Sequence, residues 1–137
     1  MQGKIALEEH FAIEATLGDS KLFGAHVWGD LGPRLLDIQD IRLRQMDQHG
    51  VEMMILSLNA PAVQAIYDIK QAIAVARQAN DVLAENVRKR PDRFAAFAAL
   101  PMQDPEAATA ELTRCINELG FVGALVNGFS QIGTPDN

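Results

Sequence analysis

At 137 residues, 48% hydrophobic and 22% charged, the chain is long enough for one packed core and falls outside the disordered and membrane-spanning classes. Eighteen acidic residues against twelve basic ones give a net charge of -6, and the basic run Arg88-Lys89-Arg90 ends a predicted helix, where cations complement the negative pole; a nucleic-acid surface therefore lacks its footprint. The N-terminal apolar run is closed by Glu8 and Glu9, too early for a signal core or a membrane span, and the single Cys115 can form no internal disulfide, so a cytoplasmic protein with Cys115 in its core is expected.

Lys4 to His10 reads as a first strand ending in Glu8, Glu9 and His10. Strict alternation along Ile5 to His10 would put Glu8 and His10 on one face and Glu9 on the other. A carboxylate and a neutral imidazole converging on one point, each about 2.0–2.2 Å from it, make half of a divalent-metal site; an acidic loop after a strand is the plainer alternative.

Thr16 to Arg34, with Gly18, Gly24, Gly29, Gly32 and Pro33, is predicted to be a long loop carrying Phe23, His26 and Trp28. From Leu35 a helix is expected on the stripe Leu35, Ile38, Ile41 or Arg42, and Met46, with Asp37 and Asp40 in its first turns and His49-Gly50 as its stop. Val51 to Leu58 is a second strand, with Ser57 and Asn59 at its end. Ile66, Ile69, Ile73, Ala76, Ala79 or Asn80, Leu83 and Val87 mark a helix stopped by Pro91. Phe94 to Leu100 is a third strand. Asp104 and Pro105 then open a helix running to Gly120, and Phe121 to Val126 is the fourth strand, ended by Asn127-Gly128.

Strands alternating with helices imply parallel pairing, with Glu8, His10, Ser57, Asn59 and Asn127 gathered at the carboxyl edge where α/β proteins place their chemistry. The first strand–helix connection has no glycine-rich phosphate loop, which disfavours a nucleotide-binding open sheet. The alternative is an α/β fold of the (β/α)8 TIM-barrel type, which needs about 250 residues. Residues 1–137 would then be its N-terminal half, about four parallel strand–helix units truncated after the fourth strand.

Leu7-Glu8-Glu9-His10-Phe11, Leu58-Asn59-Ala60-Pro61-Ala62-Val63-Gln64, Lys89-Arg90-Pro91-Asp92-Arg93-Phe94 and Leu125-Val126-Asn127-Gly128-Phe129-Ser130 closely resemble the γ-resorcylate (2,6-dihydroxybenzoate) decarboxylases of the amidohydrolase superfamily. The resemblance covers the chain to about Gln131. It implies a metal-dependent barrel that converts 2,6-dihydroxybenzoate to resorcinol and CO2 without oxidation, with Glu8 and His10 as first-strand ligands to zinc or manganese. Phe23 matches a position that helps enclose the aromatic ring, and Asn127, at a strand end, is given a substrate-contact role.

The family's other ligands, a fifth-strand His and an eighth-strand Asp that resembles the proton donor, together with a second active-site His, would lie beyond Asn137. No catalytic acid is therefore expected within these residues, and the chain alone should be inactive. Glu-x-His in place of the usual His-x-His points to the dihydroxybenzoate branch. Another amidohydrolase-superfamily hydrolase, the aminocarboxymuconate-semialdehyde decarboxylase, and a non-catalytic half-barrel that self-associates through its open edges are the alternatives. Expected partners are a small aromatic carboxylate and further copies of the chain, with no nucleic acid or membrane; His26 and His49 are expected on the surface.

Overall fold

The computed structural model describes residues 3–23 and 26–133, the side chains of Leu22 and Phe23 excepted. Strands β1 (Lys4–Phe11), β2 (Val51–Leu58), β3 (Phe94–Ala98) and β4 (Gly123–Ala124) form one parallel sheet in the order β1-β2-β3-β4. Because each strand lies beside its sequence neighbour, successive right-handed crossovers lay their helices on the same face. That is the winding of a barrel, as expected, and the chain forms its first four units. Among the described residues no helix is long and apolar enough to cross a membrane.

The two faces of the sheet differ sharply. Leu56, Leu58, Phe94, Ala96 and Ala98, at alternate positions, are buried against the alanine stripe Ala72, Ala76 and Ala79 of α4 (Ile69–Lys89) and against Cys115 of α5 (Pro105–Asn117). Small residues along α4 allow its axis to approach the sheet closely, so tight packing here needs no large side chains. On the opposite face Met53, Ile55, Ala95 and Phe97 are only half-buried, and Ile5 and Leu7 are 59% and 60% exposed. The latter face would line a barrel's interior.

Several elements differ from the sequence-based expectation. The segment after β1 is not a long loop: it folds as α1 (Glu14–Leu17), a 3-10 turn over Gly18–Phe23, and α2 (Trp28–Leu36). Of the glycines that suggested a loop, Gly32 is buried in α2 beside Leu35, and a Cβ on it would lie 3.6 Å from the Trp28 indole. Trp28, Leu31 and Leu35 do recur with helical spacing, a signal masked by the interspersed Gly29, Gly32 and Pro33. The helix expected from Leu35 is likewise interrupted. Asp37 is extended, and its carboxylate accepts from the backbone N–H groups of Asp40 (3.3 Å) and Arg42 (2.9 Å), capping α3 (Ile41–His49) as a separate helix. Gly50 closes α3 with a left-handed φ of 67°, as its sequence position suggested.

The third and fourth strands are shorter than expected. Only Gly123 and Ala124 of the predicted fourth strand pair with β3, flanked by single bonds from Val122 N–H to the Ala96 carbonyl and from Leu125 N–H to the Ala98 carbonyl. No strand lies on its far side among the described residues. β3 ends at Ala98 because the carboxamide of Asn80, on α4, takes over as its partner: Asn80 Oδ1 accepts from Ala99 N–H at 2.9 Å and Asn80 Nδ2 donates to the Ala99 carbonyl at 2.9 Å.

Asn80 Nδ2 also donates to Glu111 Oε1 (2.8 Å), and Arg114 grips Glu111 through Nε (2.9 Å) and Nη2 (2.7 Å) while reaching Asp81 through Nη1 (2.7 Å). Burial resists ionisation of Glu111, but the hydrogen bonds from Arg114 and Asn80 outweigh it and hold its carboxyl below the ordinary value. The adjacent Cys115 thiol is pushed up to about 12, by burial first and the Glu111 charge second, so it is the inert core residue expected.

Removing one member of such a buried, hydrogen-bonded ion pair leaves its partner uncompensated. Glu111→Ala is expected to cost about 3 kcal/mol in denaturant titrations near neutral pH. Because the carboxyl is depressed in the folded state, its contribution is fully present above the ordinary value of 4.5 and fades as pH falls through the lower folded value. Wild type and variant should therefore converge in acid; an undiminished gap at low pH would show that packing, not charge, holds α5 to α4.

Candidate metal and substrate site

The carboxyl end of β1 is shaped by a change of register. Ala6 pairs with Met54, but the next partners are Glu9 with Leu56, His10 with Ser57 and Phe11 with Leu58, so β1 spends one residue more than β2 over this interval. This bulge inverts the alternation. Ile5 and Leu7 lie on the open face at the start of the strand, yet Phe11, which has the same parity, is buried in the core. The unbroken alternation expected along Ile5 to His10 is thus corrected: Glu8 lies within the bulge, and only Glu9 to Phe11 follow in regular register with β2.

His10 is held at two points. Ser57 Oγ lies 3.0 Å from His10 Nδ1, in hydrogen-bond contact, and Arg42 Nη2 donates to the His10 carbonyl at 2.6 Å. The Phe11 carbonyl accepts from Asn59 N–H at 2.8 Å, so its neighbour His10 turns its own carbonyl away from β2, toward the free edge where Arg42 waits. Arg42 further donates to the carbonyls of Asp37 and Arg34 (both 3.3 Å). Burial lowers the pKa of its guanidinium, with Glu9 and Asp37 opposing the shift.

Behind the site, Asn59 organises the connection after β1. Its Oδ1 accepts from the Thr16 hydroxyl (2.8 Å), and its Nδ2 donates to the Thr16 carbonyl (2.9 Å) and to Ser20 Oγ (2.7 Å). All three residues are buried, and each polar atom of the Asn59 carboxamide is satisfied. A cavity of about 280 Å³ opens here, lined by His10, Ser20, Leu31, Leu35, Asn59 and Ala60. Glu8 and His10 both border a second cleft of about 310 Å³ along the free edge of β1, with Arg42 and Gln45 opposite. His10 is common to both.

The donor set around His10 can be compared with what a metal needs. One exposed carboxylate, Glu8, and one imidazole, His10, are of the right type for a borderline divalent ion, and Glu8 has no hydrogen-bond or ion-pair partner among the described residues. No group of three or more His, Cys, Asp or Glu side chains assembles among the described residues, so this segment offers at most half of a four-ligand site. The types fit; the number is incomplete.

The other anticipated residues fall in different places. Phe23 ends the 3-10 turn after α1, and its side chain lies outside the described residues. Asn127 does not line the His10 cavity. Its N–H donates to Gln64 Oε1 (2.7 Å) and its carbonyl accepts from Gln64 Nε2 (3.2 Å), which ties the segment after β4 to the loop after β2. His26 and His49 are exposed, as expected. Sequence reasoning gave no role to Ser57, Arg42, Thr16 or Ser20. Ser57 and Asn59 were visible as strand-end polar residues, but their partners depend on the bulge and on the folding of the segment read as a loop.

Comparison with known proteins adds an independent line. Over 134 residues the chain is 71% identical to γ-resorcylate decarboxylase of Rhizobium radiobacter, covering 97% of this chain and 41% of that protein. The crystal structure of 2,6-dihydroxybenzoate decarboxylase complexed with 2,6-dihydroxybenzoate matches with a TM-score of 0.95 and 71% identity, over 97% of this chain and 41% of that one. Dihydroxybenzoic acid decarboxylase from Polaromonas sp. JS666, crystallised with manganese and the inhibitor 2-nitroresorcinol, matches with a TM-score of 0.94 and 68% identity, over 96% of this chain and 40% of that one. The chain thus spans about two fifths of the length of the relatives it matches. Residues 21–137 match the Amidohydro_2 (amidohydrolase) family, and the chain belongs to that family.

Proposed function

We propose that the chain is the N-terminal part of a metal-dependent, non-oxidative decarboxylase that converts 2,6-dihydroxybenzoate to resorcinol and CO2. The observation that carries this reading is the Glu8-x-His10 pair at the carboxyl end of the first barrel strand, in a chain 71% identical to a γ-resorcylate decarboxylase. Glu8 and His10 would hold a zinc or manganese ion together with ligands from outside residues 1–137. Once bound, such an ion supplies Lewis-acid stabilisation of negative charge on substrate oxygens.

The chain's own residues shape what surrounds that point. Leu31 and Leu35 give the cavity at His10 an apolar wall that suits an aromatic ring and displaces water, while Ser20 and Asn59 supply its polar side. Phe23 keeps the ring-enclosing role that the family resemblance implies, and Asn127, outside the His10 cavity, keeps a substrate-contact role only through its place after β4. Decarboxylation exchanges the ring–carboxyl carbon bond for a ring C–H bond, so a proton must reach that carbon; its donor lies outside this segment in our reading. The charge of -6 accords with the absence of a nucleic-acid partner, and a cytoplasmic location without membrane partners is part of the same proposal. Self-association of the isolated segment is supported by the exposed Ile5 and Leu7 on the open face.

Three outcomes test the reading. In the full-length protein, Glu8→Ala and His10→Ala should each strip most of the metal, seen by elemental analysis, and lower kcat/KM more than about 100-fold; stoichiometric metal in both variants would remove them from the ligand set. Full-length protein should release CO2 from 2,6-dihydroxybenzoate with no requirement for oxygen, a nicotinamide or pyridoxal phosphate, and a requirement for any of these would reassign the chemistry. Residues 1–137 alone should be inactive and should elute as oligomers in sizing experiments, whereas an active monomer with added manganese would contradict the half-site reading.

A further inference from the structure

The contact between Ser57 and His10 can run in either direction, and its direction decides which ring nitrogen is free. A neutral imidazole carries its proton on one nitrogen and an unshared pair on the other, and the partner of the first decides which is free to ligate. Ser57 Oγ sits 3.0 Å from Nδ1, while Nε2 has no hydrogen-bond partner among the described residues. Ser57 is fully buried, and its place is fixed by the His10–Ser57 register pairing of β1 with β2. Arg42 pins the backbone of His10 from the other side through its carbonyl. The ring is thereby anchored at Nδ1, on a residue that borders two cavities.

We infer that Ser57 is a positioning residue for His10: its hydroxyl oxygen accepts the Nδ1 proton, which leaves the Nε2 pair free for a ligand in the cavity. The reverse arrangement, with the Ser57 hydroxyl donating to Nδ1, would place the imidazole proton on Nε2 and close the ring to any cation. The inference rests on the proposed metal role of His10 for its purpose, but the tautomer itself is a property of the metal-free protein. Partners of this kind typically change metal affinity about 10- to 100-fold.

The test uses the full-length, metal-free protein labelled with 15N-histidine, with the His10 signals assigned by their loss in His10→Gln. Wild-type His10 should carry its proton on Nδ1. In Ser57→Ala the Nε2-protonated form should appear, and the apparent Kd for Mn2+, measured by chelator competition, should rise about 10- to 100-fold; Ser57→Thr, which keeps the hydroxyl, should retain the wild-type tautomer. A proton on Nε2 in the wild type overturns the inference without recourse to any variant. So does a Ser57→Ala protein that loses thermal stability while its tautomer and Mn2+ affinity stay unchanged, since that marks a packing role only. Absence of Mn2+ binding by wild type would refute the proposed metal function, while the tautomer measurement would still decide the role of Ser57.

Discussion

The site depends on one stretch of backbone pairing, the three-residue ladder that sets Glu9 against Leu56, His10 against Ser57 and Phe11 against Leu58. Side chains in a strand alternate with a period of two, so a slip of one residue would send Phe11 to the open face and His10 into the alanine-rich core. The two faces make that slip costly in opposite ways: Phe11 would lose its burial, and an imidazole would enter apolar packing without Ser57 beside it. The bulge between Ala6 and Glu9 is what lets apolar Ile5 and Leu7 and polar His10 occupy the same open face while Phe11 anchors the other.

Around that ladder, three carboxamides take on work usually left to backbone. Asn59 shapes the turn after β1, Asn80 extends β3 by one residue's worth of pairing, and Gln64 donates to the carbonyls of Asn127 and Phe129 while its side-chain oxygen accepts from Asn127 N–H at 2.7 Å. Each has a donor and an acceptor on one short, flat group, which can mimic a peptide unit where the sheet has ended. The carboxyl edge of the sheet is therefore held by side chains rather than by further strands. The segment after β4 and the 3-10 turn carrying Ser20 are tied to the sheet in this way although neither is part of a ladder.

The sequence made the barrel winding legible through periodicity, because α4 and α5 have clear apolar stripes and recognisable caps. Asp104 does accept from Glu106 N–H and Ala107 N–H, and Gly50 does adopt the left-handed conformation. What could not be read was anything that depended on tertiary partners. The helix α2 is built on glycines and a proline that argue locally against it, and β4 pairs with β3 over only Gly123 and Ala124. Glu8 and His10 stood out as a pair because their types and spacing carry chemical meaning on their own. Ser57 and Arg42 carry none until register brings the first to the His10 ring and the α2–α3 break brings the second to its carbonyl.

Arg42 has a consequence for the rim of the sheet. Parallel neighbours interlock through a regular series of carbonyls and N–H groups, and a newcomer along the outer side of β1 would look for the His10 carbonyl as its next rung. That rung is already taken by a guanidinium bound to three carbonyls, at His10, Arg34 and Asp37. The cleft bordered by Glu8, His10 and Arg42 lies along this same edge. The arginine thus caps the outer side of β1 at His10 with a charged side chain where the rest of the edge offers only backbone.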